Sequence, residues 1–204
     1  RTVELSDGTL GSGPEYETAC MFGSNCLVDD PEAVIAANEL SNRLGIDTIS
    51  AGAAIGFLME SFEKGEIAGI DLEGIEPVWG NGRTLVDLVR MIGERRGVGE
   101  ILGEGVLRAS RVIGREEYAI HSKGLEFPAH DPRAFNSLAL SYATSNRGAC
   151  HLQGFTYVFE KAVTMPELGF PEAQDRFGTE RKAELVIASQ DLMGLFDSLK
   201  LCKL

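Results

Sequence analysis

No stretch of this 204-residue chain approaches the roughly 20 consecutive apolar residues that a membrane helix needs. No basic-then-apolar leader opens it. These two gaps argue against a membrane protein and a secreted one. The chain starts at Arg1 rather than methionine, as expected of a piece of a longer polypeptide. Basic residues are scarce, 19 against 31 acidic, for a formal net charge of -12. With no basic stripe, such a surface repels phosphate backbones, which excludes nucleic-acid binding. Cysteine is sparse: Cys20, Cys26, Cys150 and Cys202 are too few and too scattered for a secreted disulfide framework. A reducing cytoplasm is the expected compartment. Strand-like alternation is scarce, and no fixed-period repeat or low-complexity segment is present.

What is there is ordinary globular material. Hydrophobic residues make up 44% and charged residues 25%, enough for one large or two small domains with a real core. Asp30-Pro31-Glu32 reads as cap, first-turn proline and first-turn acid, with Gly45 as the stop. Between them Val34, Ala37, Leu40 and Leu44 keep helical spacing. A second helix follows Asp47-Thr48 and ends near Lys64-Gly65, with Ile55, Leu58, Met59 and Phe62 on one face. Gly52 and Gly56, four apart on it, permit close approach by another backbone or a ligand. Leu85, Leu88, Val89 and Ile92 form a third stripe, stopped after Arg95-Arg96 by Gly97. Leu102, Val106, Ala109 and Ile113 read as one further helix ending at Gly114. Pro128 and Pro132 exclude a regular helix from Tyr118 to Arg133, which predicts an extended crossing there. A last helix runs from about Thr179 to Leu199, with Leu185, Ala188, Leu192, Leu195, Phe196 and Leu199 inward. The class is all-α in the sense of mainly α, multihelical, with two domains expected at 1–120 and 121–204.

Residues able to carry chemistry are individually weak signals. Glu15 and Glu17 follow Pro14 in a helix's first turn, where an acid commonly does no more than favour the positive end of the dipole. Cys20 and Cys26 fit no common zinc spacing and are more often buried small hydrophobes. His151, after Asn146-Arg147-Gly148-Ala149-Cys150, suits an acid/base, although a satisfied core histidine is the commoner role. Asp131-Pro132-Arg133 reads as a turn with a local ion pair. Cys202 alone is just a thiol.

Taken together and in order, these segments resemble one family. Gly13-Pro14-Glu15-Tyr16-Glu17 with Gly23-Ser24-Asn25 is similar to a stretch of the aldehyde ferredoxin oxidoreductases. The likeness continues through Ala37-Asn38-Glu39, the run Leu44 to Ser50, Met59-Glu60 and Lys64-Gly65. It goes on through Gly124-Leu125-Glu126, Asp131-Pro132-Arg133, Tyr142-Ala143-Thr144, Asn146-Arg147-Gly148 and Cys150-His151. Asp197-Ser198-Leu199-Lys200-Leu201-Cys202 closes it, so nearly the whole chain is covered. The resemblance implies the family's helical domains 2 and 3. It also implies a tungsten (or molybdenum) ion held by two pterins beside a [4Fe–4S] cluster, oxidising an aldehyde to a carboxylate and passing electrons to ferredoxin. A homodimer is a further expectation.

By the same resemblance, Glu17 and His151 match the acidic and imidazole groups beside the metal. The pterin-gripping Asp-x-x-Gly-Leu-(Cys/Asp) motif aligns twice. One copy falls on Asn42, Gly45, Ile46 and Asp47; the other on Asp197, Lys200, Leu201 and Cys202, whose thiolate would be the fourth cluster ligand. Asn42 replaces the first aspartate and Lys200 the second glycine. The other three cluster cysteines and the N-terminal pterin-cradling domain are expected ahead of Arg1. Two other readings stand beside this one. The chain could be a non-catalytic helical binding module that kept the fold. Or it could belong to a family member acting on glyceraldehyde 3-phosphate, a hydroxy acid or benzoyl-CoA.

Overall fold

The computed structural model describes residues 2–6, 8, 10–65, 67 and 69–203. Arg1 and Leu204, where the chain begins and ends, lie outside the described residues. The chain divides into two compact units, Arg1–Ala129 and His130–Leu204. The division falls inside the proline-marked crossing.

The first unit opens with an antiparallel hairpin, β1 (Thr2–Glu4) on β2 (Leu10–Ser12), with Val3 opposite Gly11. Helix α1 (Tyr16–Phe22) and a 3-10 turn at Ser24–Cys26 follow, then α2 (Pro31–Leu44) and α3 (Thr48–Glu63). Both long helices obey the start and stop signals in the sequence. Asp30 caps α2 by accepting the N–H of Glu32 and Ala33 at 3.0 and 3.3 Å, and Gly45 closes it in the left-handed region at φ 69°. The close approach expected at the α3 glycines is real. A Cβ on Gly52 would sit 2.7 Å from Met21 Cβ and from its carbonyl oxygen, and Asn25 Nδ2 donates to Gly52 O at 3.0 Å. Ile55, Leu58 and Met59 of α3 have no exposed surface. They pack with Phe22 and with Leu85, Leu88 and Val89 of α4 (Gly82–Glu94) in one core.

One expected helix is two. The stripe Leu102 to Ile113 is broken into α5 (Val98–Leu102) and α6 (Val106–Ile113), because Gly105 takes φ 84° and ends the helical path. The apolar spacing survived the break because Leu102, Val106 and Ala109 are all buried against the same core. The crossing is extended as its prolines require, with a short hairpin, β3 (His121–Ser122) on β4 (Leu125–Glu126). Lys123 and Gly124 turn it, both at positive φ.

The second unit is built from α7 (Asn136–Thr144), α8 (His151–Gly154), α9 (Tyr157–Lys161) and α10 (Lys182–Leu199). A buried ion pair joins three of them. Glu160 of α9 pairs with Lys182 of α10, and its other oxygen accepts the Ser137 hydroxyl of α7 at 2.6 Å. The inward row expected on α10 holds only in part. Leu185, Val186, Ser189 and Met193 are buried, whereas Leu195 and Leu199 are 60% and 66% exposed. At 1.5 Å per residue α10 is about 27 Å long and α7 about 14 Å. Within the described unit, α7 is too short to cover the last turns of α10. No helix among the described residues is long and apolar enough to cross a membrane.

Candidate active site in two halves

In the first unit, Glu17 lies in the first turn of α1 and is half-buried. Its Oε2 accepts the backbone N–H of Ala129 at 2.7 Å, a bond 112 residues long in sequence. That contact gives the first-turn acid a specific partner beyond the helix dipole. The next residue, Thr18, places Oγ1 2.8 Å from Thr48 Oγ1, at the start of α3. Asp47 caps α3, its Oδ1 accepting the Ser50 N–H at 2.8 Å. Ser50 Oγ donates to buried Glu126 at 2.8 Å, and the other Glu126 oxygen accepts the Val106 N–H at 2.7 Å. The first turns of α1 and α3 and the end of the crossing therefore converge. Asn42 is exposed in the last turn of α2, and Gly45 and Ile46 form the turn that leads to Asp47.

The second unit repeats this design. His151 is the first residue of α8, half-buried, reached through Gly148 at φ 89°. The carbonyl of the next residue, Leu152, accepts a hydrogen bond from Lys203 Nζ at 3.1 Å, and Lys203 also pairs with Asp197 at 2.7 Å. The end of α10 with Asp197, and the tail with Leu201 and Cys202, are thereby held against α8. Cys202 is exposed.

The two motif copies adopt the same backbone. Gly45 and Lys200 are left-handed caps at φ 69° and 59°. The following Ile46 and Leu201 donate their N–H groups to the carbonyls five residues earlier, Ser41 at 3.0 Å and Phe196 at 2.9 Å. This is a Schellman closure in each case. It explains a glycine at that position, and Lys200 shows that a lysine can hold the same turn at some strain. The pairing around the copies also matches. The residue after each candidate acid/base (Thr18, Leu152) bonds the residue after each motif (Thr48, Lys203).

These residues suit the group implied by the motif. Asn42, Asp47 and Asp197 are exposed acceptors beside helix ends, able to receive the ring and amino N–H groups of a pterin. Cys202 offers an accessible thiol, the donor an iron–sulfur cluster takes. The other cysteines differ. Cys20 is half-buried and Cys26 and Cys150 are buried; burial pushes the Cys26 thiol up to about 12, so Cys26 is not a ready thiolate. Asp131 and Arg133 form the local ion pair expected of that turn; hydrogen bonding by Arg133 holds the Asp131 carboxyl below its ordinary range. Sequence reasoning missed Ala129, Lys203 and His130, and it met Glu126 only as part of the matched segment Gly124-Leu125-Glu126, with no role. The first acts through its backbone and the others through partners distant in the chain. His130 stands directly before the matched segment Asp131-Pro132-Arg133.

Comparison with known proteins gives the family. The model for aldehyde ferredoxin oxidoreductase, domains 2 and 3, matches residues 1–204. The tungsten-containing aldehyde ferredoxin oxidoreductase of Pyrococcus furiosus is 38% identical over 193 residues, 93% of this chain and 31% of that protein. Its counterpart from Thermococcus kodakarensis is 36% identical over 199 residues, 95% of this chain and 32% of the relative. The WOR-like subunit of an aliphatic sulfonate oxidoreductase from Pyrococcus furiosus is 33% identical over 152 residues, 71% of this chain and 24% of that subunit. Among solved structures, the active-site complex of benzoyl coenzyme A reductase with 1,5-dienoyl-CoA matches with a TM-score of 0.73. It covers 98% of this chain and 35% of that one at 19% identity, a likeness of fold. The chain thus spans about a third of the length of the curated relatives it matches. It belongs to the aldehyde ferredoxin oxidoreductase family, as a mainly helical stretch from that family's domains 2 and 3.

Proposed function

We propose that this chain supplies two halves of the active site of an enzyme that oxidises aldehydes to carboxylates. The observation that supports this most directly is the matched pairing just described, one candidate acid/base beside each motif copy. In the complete protein, Asn42, Gly45, Ile46 and Asp47 would hold one pterin and Asp197 and Leu201 the other. Cys202 would ligate the cluster. When bound, a tungsten (or molybdenum) bis-pterin supplies Lewis acidity and accepts two electrons, and a [4Fe–4S] cluster hands them on singly to ferredoxin.

The chain's own groups do the proton work. Converting R–CHO and water to R–COOH releases two electrons and two protons, so a base and a proton donor must stand at the carbonyl. Glu17, oriented by the Ala129 N–H that it accepts, takes a proton from water. His151 donates an N–H to the aldehyde oxygen and takes that proton back as the acid forms. The two units correspond on this reading to the family's domains 2 and 3, completed by an N-terminal domain in a cytoplasmic enzyme. A homodimer is part of the same proposal.

The test uses the full-length enzyme. Glu17→Gln and His151→Asn should each lower turnover by about 10²–10⁴-fold with tungsten content unchanged. A screen of aldehydes against a viologen acceptor would define the substrate. Wild-type turnover by both variants would return Glu17 to a helix-dipole acid and His151 to a packing residue. A full-length wild-type protein that carries tungsten but oxidises no aldehyde in that screen would instead favour the non-catalytic binding module.

A further inference from the structure

His130 begins the second unit, and its imidazole lies face to face with that of His151. The ring centroids are 4.6 Å apart and the planes differ by 6°. The Tyr157 ring also touches His130, with centroids at 4.1 Å and the planes tilted by 45°. Tyr157 is a core residue, 9% exposed, and takes the edges of Phe155 and Phe135 at 5.3 and 6.1 Å. The His130 backbone is fixed as well, since buried Tyr142 donates its hydroxyl to the His130 carbonyl at 2.8 Å. His151, by contrast, opens a helix of only four residues. A row of rings therefore runs from the aromatic core through His130 to His151.

We infer that His130 is a positioning residue for His151: its ring face sets the plane of the His151 imidazole and so the direction of its N–H. The inference rests on the acid/base reading of His151. Ring N–H bonds and lone pairs lie in the ring plane, and in two nearly parallel stacked rings they run side by side. A direct N–H to N bond between the imidazoles is therefore excluded. His130 acts on His151 through its ring face. Orientation of this kind matters because small misplacements of a reacting group cost large factors in rate.

The experiment compares His130→Ala, His130→Phe and His151→Asn in the full-length enzyme, with the histidines ¹³C-labelled for NMR. The His151 ring signals are assigned by their loss in His151→Asn. In His130→Ala, kcat should fall about 10–100-fold with KM within about twofold and tungsten content unchanged. The His151 signals should lose the upfield shift imposed by a stacked ring. His130→Phe, which keeps a flat aromatic face, should restore both kcat and the shifted signals. If His130→Ala does not accumulate as folded protein, His130→Gln takes its place, planar and polar without an aromatic face. Wild-type kcat or unmoved His151 signals in that variant would overturn the inference. So would a His130→Phe enzyme as slow as His130→Ala, because the nitrogens would then be required. Wild-type turnover in His151→Asn would sink the acid/base reading instead, while the NMR shift would still report whether the stack orients His151.

Discussion

Cys26 has no exposed surface, and its thiol donates to the Met21 carbonyl at 3.3 Å. Burial pushes its pKa from 9.0 up to about 12, against a smaller lowering by the Asn25 amide. Between those values the unfolded chain releases this proton and the folded chain keeps it. The folded state then binds more protons, so stability falls as pH rises through that window. The slope is about 1.4 kcal/mol per pH unit. Urea unfolding between pH 9 and 11 should show that decline, and Cys26→Ala should remove it. Glu17 makes a related point at the same scale. Its position in a first turn was legible, but its acceptance of the Ala129 N–H depends on a backbone 112 residues away.

Among the helices, the ends that follow local rules were the readable ones. Asp30, Pro31 and Gly45 fix α2 through capping and left-handed geometry that depend on neighbours a few residues off. The α5–α6 break was hidden, because apolar spacing reports the buried face and not the continuity of the backbone. The motif caps allow a direct check. Gly45→Ala should destabilise the protein by about 1 kcal/mol, since a Cβ is strained at φ 69°. Lys200→Gly should stabilise it, by less than that, because glycine's freer unfolded chain takes back part of the gain. Chemical denaturation of the two variants measures both. Opposite signs are the expected result; a destabilised Lys200→Gly would mean that the lysine side chain contributes more at this turn than its backbone strain costs.

For the whole molecule the decisive number is the share of the relatives that this chain represents, about a third. A [4Fe–4S] cubane takes four protein ligands. The chain offers the exposed thiol of Cys202, while Cys20 is half-buried and Cys26 and Cys150 are buried. Iron–sulfur reconstitution of the isolated 204 residues should therefore give no stoichiometric cluster absorbance, and tungstopterin should not be retained. A stable cluster on this chain alone would overturn the assignment of Cys202 as one ligand of four.

The sequence by itself determined the helical class, the caps of α2 and α3, the close approach at Gly52 and the family, because each rests on local geometry or on ordered identities along the chain. It also brought forward Glu17, His151 and both motif copies. Only the tertiary structure decided that α10 leaves Leu195 and Leu199 exposed and that Lys200 takes the turn of a glycine. It alone showed Thr18 on Thr48, Lys203 on Leu152 and His130 stacked on His151. Those contacts are made by residues that neither periodicity nor local capping brings together. They exist because the packing within each unit sets where its helix ends and loops meet.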